Sequence, residues 1–293
     1  CEGLVGSEMC IRDSHSLMKK KTLSRLAKLK LDLELRHRIN AGRVAIKDQI
    51  VFFRRHFGHV SSDWKADATR VTFADIAISE NLFASLKKDF SDDNYCSEEM
   101  SSKEIPLELK SDFAWVIDPI DGTNNFALGF PLCGISLALL YNGFPVYGFV
   151  YDFSVNSLFE GGHDFGLIKD QQKYHSLKED REAQQIIGVQ FPIDPNLFQK
   201  LTPNFSEIKI RALGSSTLLG SLSAQGYLAG VIDVRAKVWD IAATHALAEA
   251  VGNEFHFLDE SPFPLKEFHP SMPICPYYTG SKVFCRKIES LLA

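Results

Sequence analysis

The chain has 293 residues, 45% of them hydrophobic, and its 32 Lys and Arg against 37 Asp and Glu give a formal charge of -5. This composition excludes a disordered, collagen-like or disulfide-built chain, and the net negative charge argues against a nucleic-acid polymer as partner. A chain of this length buries roughly 75% of its unfolded surface, enough for one large domain or two smaller ones.

The segment Met18 to Lys30 carries six Lys or Arg and reads as a solvated helix face. From Leu35 to Phe57, apolar residues at Ile39, Ile46, Ile50, Phe53 and Phe57 recur at near-helical spacing. Val71 to Phe90 reads as a second helix, with Ile78, Leu82 and Leu86 on one face. Ala114 to Ile117 is a short apolar strand that ends at Asp118-Pro119, because Pro cannot donate to a sheet ladder. Strands follow at Ile135 to Leu140, Pro145 to Tyr151 and Ser157 to Gly161, with turns at Asn142-Gly143 and Asn156. The first half is thus paired helices followed by an antiparallel meander.

After the polar stretch Lys169 to Glu182 the pattern becomes alternating strands and helices. Strands are expected at Ile186 to Gln190, Lys209 to Leu213, Val231 to Val234, Glu254 to Leu258 and Ile274 to Tyr278. Helices are expected around Asn196 to Lys200, Ser216 to Leu228, Trp239 to Val251 with Gly252 as its stop, and Lys282 to Leu292. The organisation is two domains, 1–170 and 171–293, with the boundary between about 163 and 184. The six cysteines form no CxxC pair and read as reduced structural thiols. The histidines show no zinc-ligand spacing. No stretch reaches 18 apolar residues, so no membrane helix is expected and a cytoplasmic enzyme is the simplest reading.

The segment Trp115 to Phe126, WVIDPIDGTNNF, is the most informative. Asp118 and Asp121 sit three apart at the end of a hydrophobic strand, Pro119 stiffens the turn, and Gly122 allows close backbone approach. If a helix or tight turn starts at Thr123, its N–H groups can hold an anion. Two carboxylates beside an anion nest fit a divalent cation with a phosphate, or simply a polar loop. Glu98-Glu99, Asp75 and Asp240 are further acidic positions, each with a plain alternative: a solvated patch, a surface residue and a helix N-cap.

The chain resembles the inositol monophosphatase superfamily. Trp115 to Phe126 satisfies that family's W-x-(I/V)-D-P-(I/L)-D-G-T-x-N-F signature, and Trp239-Asp-Ile-Ala-Ala243 its W-D-x-A-(A/G) signature. Val71-Thr-Phe-Ala-Asp75 and Glu98-Glu99 match the upstream elements in order and spacing, and the resemblance covers about residues 40 to 292. It implies a layered αβαβα sandwich of the inositol monophosphatase/fructose-1,6-bisphosphatase type. N-terminal paired helices would lie on a mainly antiparallel sheet carrying most metal ligands, and a C-terminal α/β unit would carry Asp240 and the substrate-side residues.

The resemblance also implies a Mg2+-dependent phosphomonoesterase that hydrolyses a small phosphorylated metabolite without a phosphoenzyme. Glu98, Asp118 and the Ile120 carbonyl would hold one Mg2+, and Asp118, Asp121 and Asp240 a second. Glu98 and Asp75 would help a weaker third. Thr123 and Asp75 would orient or deprotonate the attacking water, and the N–H groups of Gly122 and Thr123 would seat the phosphate. Lys65 would steady a nearby loop or its water network. Gly214-Ser215-Ser216 and Asp233 would meet the substrate's hydroxyls.

The chain departs from the pattern of inositol phosphatases at Ala229, where an Asp is usual, at Val231 for a Tyr, at Ser216 for an Ala, and at Thr244 for a Gly. The metal set is kept and the polyol-recognising set only in part. The substrate therefore ranges over inositol phosphate, related sugar or polyol phosphates, histidinol phosphate, fructose 1,6-bisphosphate or a 3'(2'),5'-bisphosphate nucleotide. For the nucleotide, Arg211, Arg235 and Lys237 are candidate contacts. A different class, an inactive scaffold, is disfavoured by the complete acidic set. The resemblance further implies a homodimer.

Overall fold

The computed structural model describes residues 5–64, 70–100, 105–177, 186–201 and 208–292, and Lys65 lies outside them. The chain divides into two compact units, Cys1–Ala41 and Gly42–Ala293. Helix α1 (Val5–His56) supplies the described part of the first unit and continues into the second. The helix includes the Lys- and Arg-rich stretch read as a solvated helix face and joins it to the one expected from Leu35, since that stretch has high helix propensity. In the first unit the exposed face is laced by i,i+4 pairs such as Arg36–Asp32 at 2.9 Å.

The second unit continues with β1 (Ser62–Trp64), β2 (Arg70–Thr72), α2 (Phe73–Leu86), β3 (Asn94–Ser97), β4 (Leu107–Glu108), β5 (Phe113–Asp121) and α3 (Thr123–Leu128). Next come β6 (Gly134–Tyr141), β7 (Phe144–Asp152), β8 (Ser157–Gly162), β9 (Gly166–Lys169), β10 (Gln172–Lys173), β11 (Ile186–Val189), α4 (Pro195–Leu201) and β12 (Lys209–Arg211). The chain closes with α5 (Ser216–Gln225), β13 (Gly230–Asp233), α6 (Val238–Ala250), β14 (Glu254–Phe257), β15 (Glu267–Phe268), β16 (Tyr277–Gly280) and α7 (Lys282–Leu292).

A seven-stranded sheet has the order β10-β9-β8-β7-β6-β5-β3, antiparallel throughout except for the parallel pair β3–β5. A five-stranded sheet has the order β12-β11-β13-β16-β14, parallel among its first three strands and antiparallel at β16 and β14. Strand alternation sorts the first sheet into two apolar faces. Ala114, Val116, Ala138, Leu140 and Val150 face Leu218, Ile241, Ala242, Ala243 and Leu247 of α5 and α6. On the opposite face α1 packs Phe53 against Tyr151, ring centroids 5.8 Å apart, and Arg43 Nε donates to the buried Glu160 at 2.6 Å.

α6 lies so close to β7 that a Cβ at Gly148 would collide with the Ala243 backbone. The five-stranded sheet covers the far side of α5 through Val231, and its other face packs Ile187, Val189 and Ile232 against Leu197 of α4 and Phe284 and Ile288 of α7. From Gly42 onward the layers are therefore helix, sheet, helix, sheet, helix, the sandwich the resemblance implies.

Several expected elements need correction. Helix α2 starts at Phe73, not Val71, because Thr72 caps it: Ala74 N donates to Thr72 Oγ1, and Thr72 N to Asp75 Oδ2, which closes a capping box. It ends at Leu86 rather than Phe90. Strand β5 runs on to Asp121 instead of stopping at Ile117; a register shift between Asp118 and Asp121 absorbs Pro119. The strand expected at Ile274 to Tyr278 is displaced to Tyr277–Gly280, since its register is set by pairing with β13 and β14. Among the described residues, Cys96, Cys133, Cys275 and Cys285 are buried and free. Among the described residues no helix is long and apolar enough to cross a membrane.

Candidate active site

The acidic residues converge where four segments end: β5, the N-termini of α2 and α6, and the turn after β3. Burial of all nine β5 positions carries Asp118 and Asp121, at 3% and 6% exposure, to the end of a hydrophobic strand. Asp240 is the third residue of α6, half-buried, and its Oδ2 accepts from Lys237 N at 2.7 Å. One carboxylate oxygen from each of Asp118, Asp121 and Asp240 lies within 4.8 Å of the other two. Glu98 follows β3, half-buried, with its N–H on Ile117 O at 3.2 Å, and its charge acts on both Asp118 and Asp240.

Asp75 is fully buried at the first turn of α2. Its Oδ2 accepts from Thr72 N at 2.8 Å and Thr72 Oγ1 at 2.6 Å, while Oδ1 lies 3.3 Å from Thr123 Oγ1. Thr123 Oγ1 also reaches Ile120 O at 2.9 Å, and Ile120 N donates to Asp118 Oδ1 at 3.0 Å. The chain turns into α3 at Gly122, whose φ of 82° is left-handed and whose missing Cβ would stand 2.9 Å from Leu132 O.

The electrostatics of this cluster are unfavourable for the protein alone. Burial first, and then the charges of Glu98, Asp121, Asp240 and Asp75, push the Asp118 carboxyl well above its usual range. Burial and Asp121 do the same to Asp240, against the opposing Lys237 N–H. Burial also raises Asp121, opposed by hydrogen bonds from Ser215, Thr217 and Ser216. Like charges gathered at this spacing are compensated by a cation, and an all-carboxylate set suits a hard divalent one.

The expected substrate residues are turned inward to carboxylates. Ser215 Oγ donates to Asp121 Oδ2 at 2.5 Å and accepts from Leu218 N at 3.3 Å, so it caps α5 while fixing Asp121. Thr217 N adds a bond to Asp121 Oδ2 at 2.7 Å. The Ser216 side chain favours the charged form of Asp233. Asp233 is fully buried; its Oδ1 accepts from Arg235 N at 2.8 Å and Ala236 N at 3.0 Å, and its Oδ2 has no protein partner. Gly214, at φ 70°, places its carbonyl beside Gly122. Of the candidate nucleotide contacts, Arg211 Nη1 donates to Ile210 O, Lys237 Nζ to Met272 O, and Arg235 is exposed.

Sequence reasoning overlooked three contributors. Thr72 holds Asp75, and its Thr-x-x-Asp spacing is a readable capping signal. Asn125 Nδ2 donates to Leu132 O at 2.7 Å and Leu213 O at 2.8 Å, tying α3 to the loop before α5; nothing in the local pattern announces so distant a contact. Tyr277 is buried with its hydroxyl unpartnered, and the charges of Asp233, Asp240 and Asp121 act on it.

A profile of the inositol monophosphatase family matches residues 36–279. The chloroplastic phosphatase IMPL1 of Arabidopsis thaliana is 29% identical over 212 residues, which are 68% of this chain and 56% of that protein, so the chain spans little more than half of that relative's length. The extragenic suppressor protein suhB of Bartonella henselae superimposes with a TM-score of 0.74 at 22% identity, over 87% of this chain and 98% of that one. An IMPase/NADP phosphatase complexed with Mg2+ and phosphate superimposes with a TM-score of 0.65 at 22% identity, over 92% and 96% of the two chains. At that identity the two structures bear on the fold.

Proposed function

Since the chain belongs to the inositol monophosphatase family, we propose that it is a Mg2+-dependent phosphomonoesterase acting on a small phosphorylated metabolite, inositol monophosphate or a related sugar or polyol phosphate. The observation that carries this reading is the gathering of Asp118, Asp121 and Asp240 within 4.8 Å. Mutual repulsion and burial disfavour their charged forms in the absence of a counter-ion. Hard carboxylate oxygens from β5 and α6 fit Mg2+, and an IMPase/NADP phosphatase of the same fold is complexed with Mg2+ and phosphate.

Asp118, Asp121 and Asp240, with Glu98 and the Ile120 carbonyl, would hold two ions, and Asp75 would help with a third. Bound Mg2+ would lower the pKa of a nearby water and offset charge on the phosphoryl oxygens. The chain's own groups do the rest. The backbone N–H groups of Gly122 and Thr123, opened by the left-handed turn, seat the phosphate. Thr123 Oγ1, held between Ile120 O and Asp75 Oδ1, orients the attacking water. Asp75, clamped by Thr72, takes up its proton. Attack is in line with the departing alkoxide, so no side chain is phosphorylated. Ser215 and Thr217 keep Asp121 in position, and the unpartnered Asp233 Oδ2 is the atom of the substrate side that can receive a substrate hydroxyl.

In this reading residues 1–170 bring most of the ion-holding groups and 171–293 bring Asp240 and the substrate side. The protein works as a cytoplasmic homodimer. The test is phosphate release from a panel of inositol, sugar, histidinol and nucleotide phosphates, with Mg2+ and with EDTA. Hydrolysis of a polyol phosphate in Mg2+ alone supports the proposal. Metal-independent hydrolysis refutes the mechanism, and silence across the panel leaves the scaffold.

A further inference from the structure

A second group of ligand-type side chains lies where β14 meets α7, and it shares no residue with the site above. Glu254 and His256 are two apart on β14 and so share a face of the strand. Cys285 and Glu289 are four apart on α7 and share a face of the helix. A ligand atom from each of Glu254, His256 and Cys285 lies within 4.8 Å of the other two. His256 Nε2 stands 3.4 Å from Glu254 Oε2 and 3.9 Å from Glu289 Oε1. Tyr278 stacks on the imidazole, centroids 5.0 Å apart and 15° from parallel, and its hydroxyl lies 3.5 Å from Glu289 Oε1.

An ion pair over a core cysteine would account for some of this. The thiol donates long, weak hydrogen bonds to Glu254 O at 3.8 Å and Gly280 O at 3.9 Å, yet its sulfur also stands within 4.8 Å of the Glu254 and His256 ligand atoms. We infer that Glu254, His256 and Cys285 form a three-residue binding site for a zinc-class divalent ion, with Glu289 at its rim beside His256. One nitrogen, one sulfur and one carboxylate oxygen, with solvent as fourth ligand, suit borderline-soft Zn2+ and not Mg2+ or Ca2+. Tetrahedral Zn2+ with bonds of about 2.0–2.3 Å separates its ligand atoms by roughly 3.3–3.5 Å. The His256–Glu254 spacing already has that value, and the Cys285 sulfur stands within 4.8 Å of both ligand atoms. The floor of the site is the fully buried Cys285, and its mouth is the partly exposed His256 and Glu254, which gives an ion a way in from solvent. Cys285 would bind as the thiolate, its proton passing to solvent as the ion enters.

Co2+ titration of the full chain tests this directly, because a cobalt–thiolate bond gives a charge-transfer band that carboxylate ligands do not. The expected result is a saturable thiolate band of one equivalent, removed by Zn2+, absent in Cys285→Ser and retained in Cys275→Ser, whose thiol lies near Asp240. His256→Ala, at a partly exposed position that leaves the core intact, should weaken Zn2+ binding by more than about 100-fold, beyond the 10–100-fold cost of losing an outer partner. No thiolate band at saturating Co2+, a band that survives Cys285→Ser, or unchanged Zn2+ affinity in folded His256→Ala overturns the inference.

Discussion

The Asp118–Asp121 turn and the Asp233 turn each bury aspartate in the same neighbourhood, and the chain treats them differently. Asp233 Oδ1 receives the N–H groups of Arg235 and Ala236, so the burial that raises its carboxyl is partly offset by the protein itself. Asp118 receives the Ile120 N–H but is flanked by the charges of Glu98, Asp121, Asp240 and Asp75. A buried carboxylate that the chain satisfies builds a turn, and a cluster that repels itself is completed by something the chain does not encode. The comparison teaches where to look for an ion and where for architecture.

The strongest way to break it is Asp118→Asn. If Asp118 serves the ion, the exchange lowers kcat by about 1,000-fold or more, at the upper end of what loss of a single electrostatic group costs. The same exchange removes a repelled charge, so the Mg2+-free protein should melt at a higher temperature than the parent. Lost turnover together with a raised Tm distinguishes a functional carboxylate from a structural one. A lowered Tm would place Asp118 with Asp233.

The next effect is in pH. Asp118, Asp121 and Asp240 keep their protons to higher pH in the folded chain than at the ordinary value of 3.8. The folded state therefore binds more protons, and the metal-free protein loses stability as pH rises from near 3.8 through the folded values. His245 acts in the opposite sense: burial lowers it to about 4, so its contribution is lost as pH falls from about 6.5 toward 4. Scanning Tm against pH with and without Mg2+ separates them, because only the carboxylate part responds to the ion. The stabilisation by Mg2+ should grow with pH across this range, and a constant increment would contradict the comparison.

The two regions also differ in how far the sequence discloses them. Asp118, Asp121 and Gly122 are legible because a strand, a turn and a glycine fall within a few residues and their roles are local. The Thr72–Asp75 capping box is equally local, although the helical period of Val71 to Phe90 hides where the helix starts. The five-layer order is what the signature motifs imply through the family resemblance, but β4 and β15 are two residues each and exist only because Leu107 and Phe268 meet in the folded chain. The inward turn of Ser215 and Ser216 depends on Asp121 and Asp233 arriving from elsewhere in the sequence, and no spacing rule reports it.

Ser215→Ala sharpens the comparison, since Ser215 both fixes Asp121 and caps α5. The exchange removes a helix cap worth about 1 kcal/mol and a buried hydrogen bond to a carboxylate worth about as much or more. A loss near 2 kcal/mol is expected in denaturant unfolding with Mg2+ present, along with weaker Mg2+ activation as Asp121 loosens. Loss of stability with unchanged Mg2+ dependence would show that α5, not Asp121, is what Ser215 serves.

The smallest effect is the most discriminating. Asp233→Asn retains an oxygen for Arg235 N and Ala236 N and exchanges the unpartnered Oδ2 for an NH2 group. The turn should survive, and only a ligand that uses Oδ2 as an acceptor should notice. For a polyol phosphate whose hydroxyl donates there, KM should rise about tenfold with kcat little changed, equivalent to about 1.4 kcal/mol. For para-nitrophenyl phosphate, which has no such hydroxyl, neither constant should move. Equal losses on both substrates would mean that Asp233 acts through the fold, by aligning the approach to α6 and Asp240. The substrate's hydroxyls would then be read by other groups, and the buried Oδ2 would be a cost the turn sustains to hold Asp240 in place.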